Sequence, residues 1–227
     1  MSKRTDKPDS RELPAYTIPE AARYLNIPVS TVRWWSVGRD QYDGVIEPAS
    51  TGRPVLLSFY NLVELHVLGV IRRDHNIKMP NVRSAIDYLR QRLKACSHPL
   101  IRHEMQTDGV HLFIERLGEL INISLEGQRA MQEVMQEALK RIVWDESGLP
   151  RKLFPYTRST ITNAPSLVVI DPHLSGGRPV ILGTGLATEI IAERYKAGES
   201  VEELAKDYGR DEDEIEEAIR CELQAAA

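Results

Sequence analysis

Apolar positions in this chain fall into blocks with helical spacing, separated by short runs of Pro, Gly, Asn and Ser. The first block is Ala21, Ala22 and Leu25, preceded by Thr17-Ile-Pro-Glu20. In that run the Thr17 hydroxyl can take an unpaired first-turn amide and Glu20 can reach back to the cap. Pro19 is tolerated there because a first-turn N–H has no helical partner. Asn26-Ile-Pro28 ends the block, and Ser30 opens a second short helix that stops near Val37-Gly38. Two extended segments are predicted next, Val45–Pro48 and Pro54–Ser58, with Ser50-Thr-Gly-Arg53 as the tight turn between them. From Ser58 a longer helix carries Leu62, Leu65, Leu68 and Ile71 as a stripe, with Val63, Val67 and Val70 beside it. Another starts at Pro80 and lines up Val82, Ile86, Leu89 and Leu93.

Beyond residue 104 the texture changes. Gly109–Glu115 and Leu120–Ser124, rich in β-branched and aromatic residues, read as two strands joined by Arg116–Glu119. An amphipathic helix over Arg129–Val143 follows, with Met131, Val134, Met135, Ala138 and Ile142 inward. Residues 145–165, holding Gly148, Pro150, Pro155 and Pro165, read as a linker or extended arm. Strands are expected at Leu167–Asp171 and Pro179–Leu182. Three helices come after them: one capped by Thr188 and ended by Gly198, one opened by the Ser200–Glu203 capping box and stopped by Gly209, and one opened by Asp211–Glu214. The expected fold is mostly α with short β hairpins. It comprises a polar disordered tail (1–13), a winged helix-turn-helix (14–104), a central hairpin, helix and arm (105–158), and a small trihelical domain (159–227).

Composition narrows the class. With 42% hydrophobic and 27% charged residues the 227-residue chain can bury a core and stay solvated. No apolar run approaches the roughly 18 residues of a membrane span, and MSKRTDKPDS lacks the apolar stretch of a secretory signal. Cys96 and Cys221 lack ligand spacing, which points to a reducing compartment, the cytoplasm, and to no metal site. The net charge of -4 hides a split: residues 1–104 hold 16 basic against 11 acidic side chains, and residues 105–227 hold 13 against 22. A polyanion is drawn to the first part and repelled by the second.

The pattern over 16–71 carries the functional reading. In a helix-turn-helix the second helix lies in the major groove with its N-terminal residues at base edges. Ser30 and Thr31 there can contact phosphates, and Arg33 can bond a guanine edge bidentately. Trp34 and Trp35, about 100° apart on a helix, cannot both face the core; one packs on the first helix and the other faces the wing or the DNA backbone. Arg53 sits at the tip of the expected hairpin. The run TIPEAARYLNIPVSTVRWW, the basic wing and LLSFYNLVELHVLGVIRR together resemble the head of MerR-type regulators over residues 16–94, without their cysteine-based metal-sensing tail. An operator DNA partner follows from that resemblance.

Residues 165–223, with Gly177-Arg-Pro-Val-Ile-Leu-Gly-Thr-Gly185, Lys196-Ala-Gly-Glu-Ser200 and Tyr208-Gly209, resemble the bacterial domain of unknown function 433. The glycine-rich run lacks the spacing and Lys-Ser/Thr ending of a phosphate-binding loop, so it reads as turn structure. Residues 160–227 hold 6 basic against 14 acidic side chains, which favours protein over DNA as partner. A MerR-like head joined to this tail is similar to a larger VapB-type antitoxin. The resemblance implies a PIN-like ribonuclease toxin as second partner, with metal-binding carboxylates that an inserted cation could occupy. Arg151, Lys152, Arg158 and Arg178 are the candidates for that role. Residues 109–143 are expected to form the interface of a homodimer, which would present two recognition helices about 34 Å apart. No cofactor is implied. The six histidines lie in no ligand pair and no nucleophile motif is present, so catalysis is not expected. The alternative reading is a stand-alone MerR-like regulator that responds to a small ligand.

Overall fold

The computed structural model describes residues 9–223 apart from Asp40, Asn76, 94–96 and 159–163, with backbone alone for 72–75. Cys96, residues 1–8 of the expected tail and part of the expected arm lie outside the described residues. Asp9–Leu13 lie within them, and Arg11 is tied down by Asp9 and Asp145.

Strand β1 (Tyr16–Thr17) runs directly into helix α1 (Ile18–Leu25) through the expected capping box of Thr17 and Glu20. Asn26, in the left-handed conformation at φ 52°, closes α1, and helix α2 (Val29–Val37) begins after Pro28. Strand β2 (Leu56–Leu57) pairs antiparallel with β1, Tyr16 opposite Leu57. This corrects the expected hairpin of Val45–Pro48 with Pro54–Ser58. The amides of Val45 and Ile46 both donate to the Trp35 carbonyl, at 2.8 and 3.0 Å, and are spent there instead of on a strand partner. Only Ser50 and Leu56 exchange backbone hydrogen bonds, both 3.0 Å, and they close a small loop over 51–55.

Helix α3 (Phe59–His75) starts at Ser58, whose hydroxyl accepts the Asn61 amide at 3.1 Å. Leu62, Val63, Leu65, Val67, Leu68, Val70 and Ile71 are all at most 2% exposed, so the expected stripe is a helix buried all round. Helix α4 (Met79–Arg92) buries Val82, Ile86 and Leu89 as expected.

The largest departure follows two short 3-10 turns, Pro99–Ile101 and His103–Gln106. The two strands expected at 109–124 form one helix, α5 (Gly109–Ile121). Val110, Phe113, Ile114 and Leu117 are its buried residues, an i, i+3, i+4, i+7 series that only a helix can bury together. Residue type had pointed to strands, and periodicity overrides it. Helix α6 (Leu125–Lys140) is capped by Ser124, four residues ahead of the expected start, and ends before Ile142. Ile142 belongs instead to β3 (Ile142–Trp144), which pairs antiparallel with β4 (Pro150–Leu153) inside the segment expected as a linker. The remainder of that segment is clasped by Arg141. Its guanidinium donates to the carbonyls of Phe154 (2.9 Å), Pro155 (3.0 Å), Ala164 (2.8 Å) and Pro165 (2.9 Å), and to the Ser166 hydroxyl (2.9 Å).

The C-terminal part contains the antiparallel pair β5 (Val168–Val169) and β6 (Val180–Ile181), then α7 (Thr188–Lys196), α8 (Val201–Tyr208) and α9 (Glu212–Leu223). The Ser200–Glu203 capping box and left-handed Gly209 stand as expected. Thr188 does not cap α7: Ala187 occupies that position, and the buried Thr188 hydroxyl donates to the Glu222 carboxylate at 2.6 Å. Three two-stranded sheets and nine helices thus make up the described residues, a mostly helical protein. One core extends from Tyr16 to Cys221, and a smaller one gathers Ile181, Ile191, Leu204, Ile215 and Ala218. Among the described residues no helix is long and apolar enough to cross a membrane.

Assigning 109–121 to a helix makes neighbouring side chains unequal. Phe113→Ala, which empties a fully buried site, is expected to cost about 3–5 kcal/mol. His111→Ala, on the exposed face, should stay within about 0.5 kcal/mol. Urea denaturation of both variants checks the contrast; equal losses would contradict the helix.

Candidate nucleic-acid and partner interfaces

Helix α2 is held from beneath by Val32, Trp35 and Ser36, all buried. That packing turns Ser30 and Arg33 outward, both exposed, with Thr31 and Trp34 half-buried. The adjacent tryptophans divide as helix geometry requires: Trp35 is 1% exposed, and Trp34 packs on the edge of the core. At Gly38 (φ 90°) a side chain would meet the Tyr42 carbonyl, so the chain can double back beside α2. Arg83 and Arg90 of α4 brace the returning strand of chain. Arg83 donates to the carbonyls of Asp43 and Gly44, and Arg90 to that of Val45.

The next turn of chain is fixed by Asn61, which is fully buried. Its Oδ1 accepts from the amides of Ala49 (3.1 Å) and Ser58 (3.0 Å), and its Nδ2 donates to the Glu47 carbonyl at 2.8 Å. Three orphan backbone groups are thereby satisfied at the base of the loop that carries Arg53. Arg53 itself is exposed at the tip. The structure thus presents Ser30 and Arg33 on a helix face and Arg53 on a braced loop. The positioning role of Asn61 was not anticipated, although a lone amide inside the apolar run of α3 was a visible signal for it.

Between that loop, α3 and α4 lies a polar cavity of about 240 Å³, lined among others by Glu47, Asn61, Glu64, Arg90 and His98. Glu64 is 4% exposed, with Oε2 2.9 Å from His98 Nδ1.

The four cations proposed from sequence for a protein partner are not brought together. Lys152 Nζ lies 3.5 Å from Asp171 Oδ2. Arg158 Nε donates to Glu217 of α9 at 2.6 Å, and Arg178 Nη1 to Glu189 of α7 at 2.6 Å. Arg151 alone of the four is exposed without an ion-pair partner among the described residues, beside an open cleft bordered by Trp144, Asp145 and His173. In that cleft burial works against the Asp145 charge. Hydrogen bonds from Ser147, Leu149 and Arg11 win, however, and hold its carboxyl far below the usual carboxylate range.

The helix pair and the C-terminal helices share a wall. Arg23 of α1 has Nε 3.0 Å from Glu222 Oε2, while the other Glu222 oxygen accepts from Thr188 of α7. The buried Tyr16 hydroxyl donates to the Gly177 carbonyl at 2.9 Å, and Cys221 is enclosed in the same core as α1. Burial pushes the Cys221 thiol up, so it stays protonated and unreactive. Within the segment expected to join two copies, α5 packs on α4 and α6 on α3 of the same chain. Leu125, at the start of α6, is 76% exposed.

Comparison with known proteins adds to this geometry. Residues 168–220 match the family described as protein of unknown function, DUF433. Nearly the whole chain is similar to a Mycobacterium tuberculosis protein named "Putative antitoxin VapB45". The two are 27% identical over 235 residues, which cover 92% of this chain and 93% of that protein. The crystal structure of Rv2018 from Mycobacterium tuberculosis superposes with a TM-score of 0.67 at 25% identity, covering 91% of this chain and 98% of that one.

Glu217 gives this part of the molecule a pH signature. Burial alone would raise its carboxyl, but Thr157, Arg158 and Arg220 outweigh burial and hold it below the ordinary 4.5. A depressed folded-state value contributes stability that is complete above the unfolded-state value and is lost as pH falls through the folded-state one. Glu217→Gln should therefore destabilise the protein at pH 7 and flatten the loss of stability below about pH 4. Urea midpoints measured between pH 3 and 7 decide this; parallel curves for both proteins would refute it.

Proposed function

We propose that this chain is the antitoxin of a toxin–antitoxin pair, binding operator DNA through its helix pair and a PIN-like ribonuclease through its C-terminal part. The observation that carries the reading is the similarity, over 92% of this chain and 93% of the other, to a protein bearing an antitoxin name. The exposed side chains are consistent with it. In this reading α1, α2 and the 50–56 loop act as a MerR-like winged helix-turn-helix. Arg33 reads a base edge, Ser30, Thr31 and Trp34 contact the backbone, and Arg53 reaches the flanking phosphates. Arg151 is the best placed of the four candidate cations to meet a carboxylate of the ribonuclease. Lys152 and Arg158 would first have to leave the buried carboxylates of Asp171 and Glu217 unpaired, and Arg178 would have to give up its exposed pair with Glu189. The protein acts as a homodimer, since two recognition helices are needed for a palindromic operator; light scattering on the eluted protein should return twice the chain mass.

A second reading, a regulator that responds to a small ligand, has one observation in its favour. The cavity at Glu64 and His98 is bordered by Glu47, Ala49 and Ser58, the residues that flank the loop bearing Arg53.

DNA binding is tested by fluorescence anisotropy on the duplex upstream of this chain's own gene. Affinity should fall steeply with salt, and Arg33→Ala should cost about 1–3 kcal/mol and relax base selectivity. Arg53→Ala should weaken all sequences alike and reduce the salt slope by about one. Equal, salt-insensitive binding by all three proteins would sink the DNA-binding part of the reading.

A further inference from the structure

The cavity beside the start of α3 holds a buried charge that the described residues leave incompletely satisfied. Ser58, Asn61 and Glu64 line it, spaced so that they share one side of the helix start. Ser58 and Asn61 are spent on backbone groups. Glu64 is different. It is 4% exposed, its Oε2 meets His98 Nδ1 at 2.9 Å, and its Oε1 has no hydrogen-bond partner among the described residues. His98 is itself fixed against the Tyr60 ring, with centroids 5.4 Å apart. A carboxylate can accept about four hydrogen bonds, and burying one with a single donor is costly. The cavity is where further donors can reach it.

Charge says what kind of donor. Glu12 and Glu47 also line the cavity; both are exposed, and neither has an ion-pair partner among the described residues. Arg90, in the same lining, already faces Asp87 at 3.0 Å. The site therefore has one carboxylate at its buried floor and two at its rim, a field that repels anions and draws in cations. A single metal ion does not fit, since among the described residues no three His, Cys, Asp or Glu side chains stand close enough to hold one. Balance calls for separated positive charges, one for the floor and one for the rim. The volume of about 240 Å³ equals that of about eight water molecules, which suits a short chain. Pro48 and Ala49, half-buried, add apolar wall.

We infer that this cavity binds a short aliphatic diamine, one ammonium on Glu64 and the other at Glu12 and Glu47. The inference rests on the ligand-responsive reading of the same cavity and names the class of ligand. Charge-assisted N–H···O bonds at both ends supply the affinity. Glu47, Pro48 and Arg90 also border a second groove, together with Val37 of α2 and Val55 of the Arg53 loop. A ligand held at Glu47 thus lies against the partition between the cavity and the parts of the head that face DNA in the proposed reading.

The probe is putrescine, titrated into the full chain by calorimetry beside n-butylamine and glutarate at constant ionic strength. Wild type should bind putrescine, bind n-butylamine more weakly, and ignore glutarate. Glu64→Gln keeps an acceptor for His98 and should weaken putrescine at least about tenfold. Should that variant fail to fold by circular dichroism, the double variant Glu12→Gln, Glu47→Gln carries the test, because both residues are exposed. In it putrescine should bind no more tightly than n-butylamine. No putrescine binding by the wild type, or undiminished binding by the folded variants, would overturn the site. Putrescine bound with DNA affinity unchanged would keep the site and remove the ligand-responsive regulator. A shift in DNA affinity caused by glutarate and not by putrescine would keep that regulator and overturn the diamine.

Discussion

Helix α3 is buried on every side over Phe59–Ile71, and such a helix cannot lie on a surface. From Phe59 to Ile71 no side chain is more than 4% exposed, and Gly69 lets Ile27 pack directly against the helix backbone. Every neighbouring element is placed by the need to cover it: α1 and β2 at its start, α6 along its length, the 3-10 turn at Pro99–Ile101 and β4 on the remaining flanks. Burial of so much apolar surface contributes on the order of 1.5–3 kcal/mol for each large side chain. The placement of α1, β2, α6 and β4 follows from that one requirement.

The polar groups carried into this buried helix are what connect it to function. Asn61 is satisfied by backbone on both sides of the loop that bears Arg53: the Glu47 carbonyl and the amides of Ala49 and Ser58. Glu64 reaches His98, and His66 lies 3.2 Å from the Ala138 carbonyl and stacks on Tyr156. Each is a buried polar group that would be costly without its partner. Each therefore fixes a particular segment against α3: the loop, the turn after α4, and the chain clasped by Arg141. The surface that faces DNA in the proposed reading is rigid because its supports are anchored in the core.

Much of this was legible in the sequence. The Thr17–Glu20 and Ser200–Glu203 boxes mark helix starts because their chemistry is local. The alternation of apolar blocks likewise gave α3 and α4. Segment 109–121 was misread since Val, Phe and Ile favour strands by type, whereas the spacing of Val110, Phe113, Ile114 and Leu117 is helical. The Pro-rich stretch after Asp145 looked like a free linker because nothing local reveals that Arg141 would satisfy its carbonyls from 13 to 24 residues away. Site residues divide in the same way. Exposure of Ser30, Arg33 and Arg53 follows from helix phase and turn position, both local. The pairing of Lys152, Arg158 and Arg178 with Asp171, Glu217 and Glu189 depends on tertiary neighbours and was invisible.

Glu222 has a consequence for how such a protein can have been assembled. Its two oxygens serve different parts of the chain, one facing Arg23 of α1 and the other Thr188 of α7. A head and a tail joined only by a flexible linker could be exchanged freely between genes. Here a shuffled tail would arrive without the acid that Arg23 needs, or a shuffled head without the base that Glu222 needs. Head and tail thus meet through one carboxylate, so a change at residue 222 is felt in both at once.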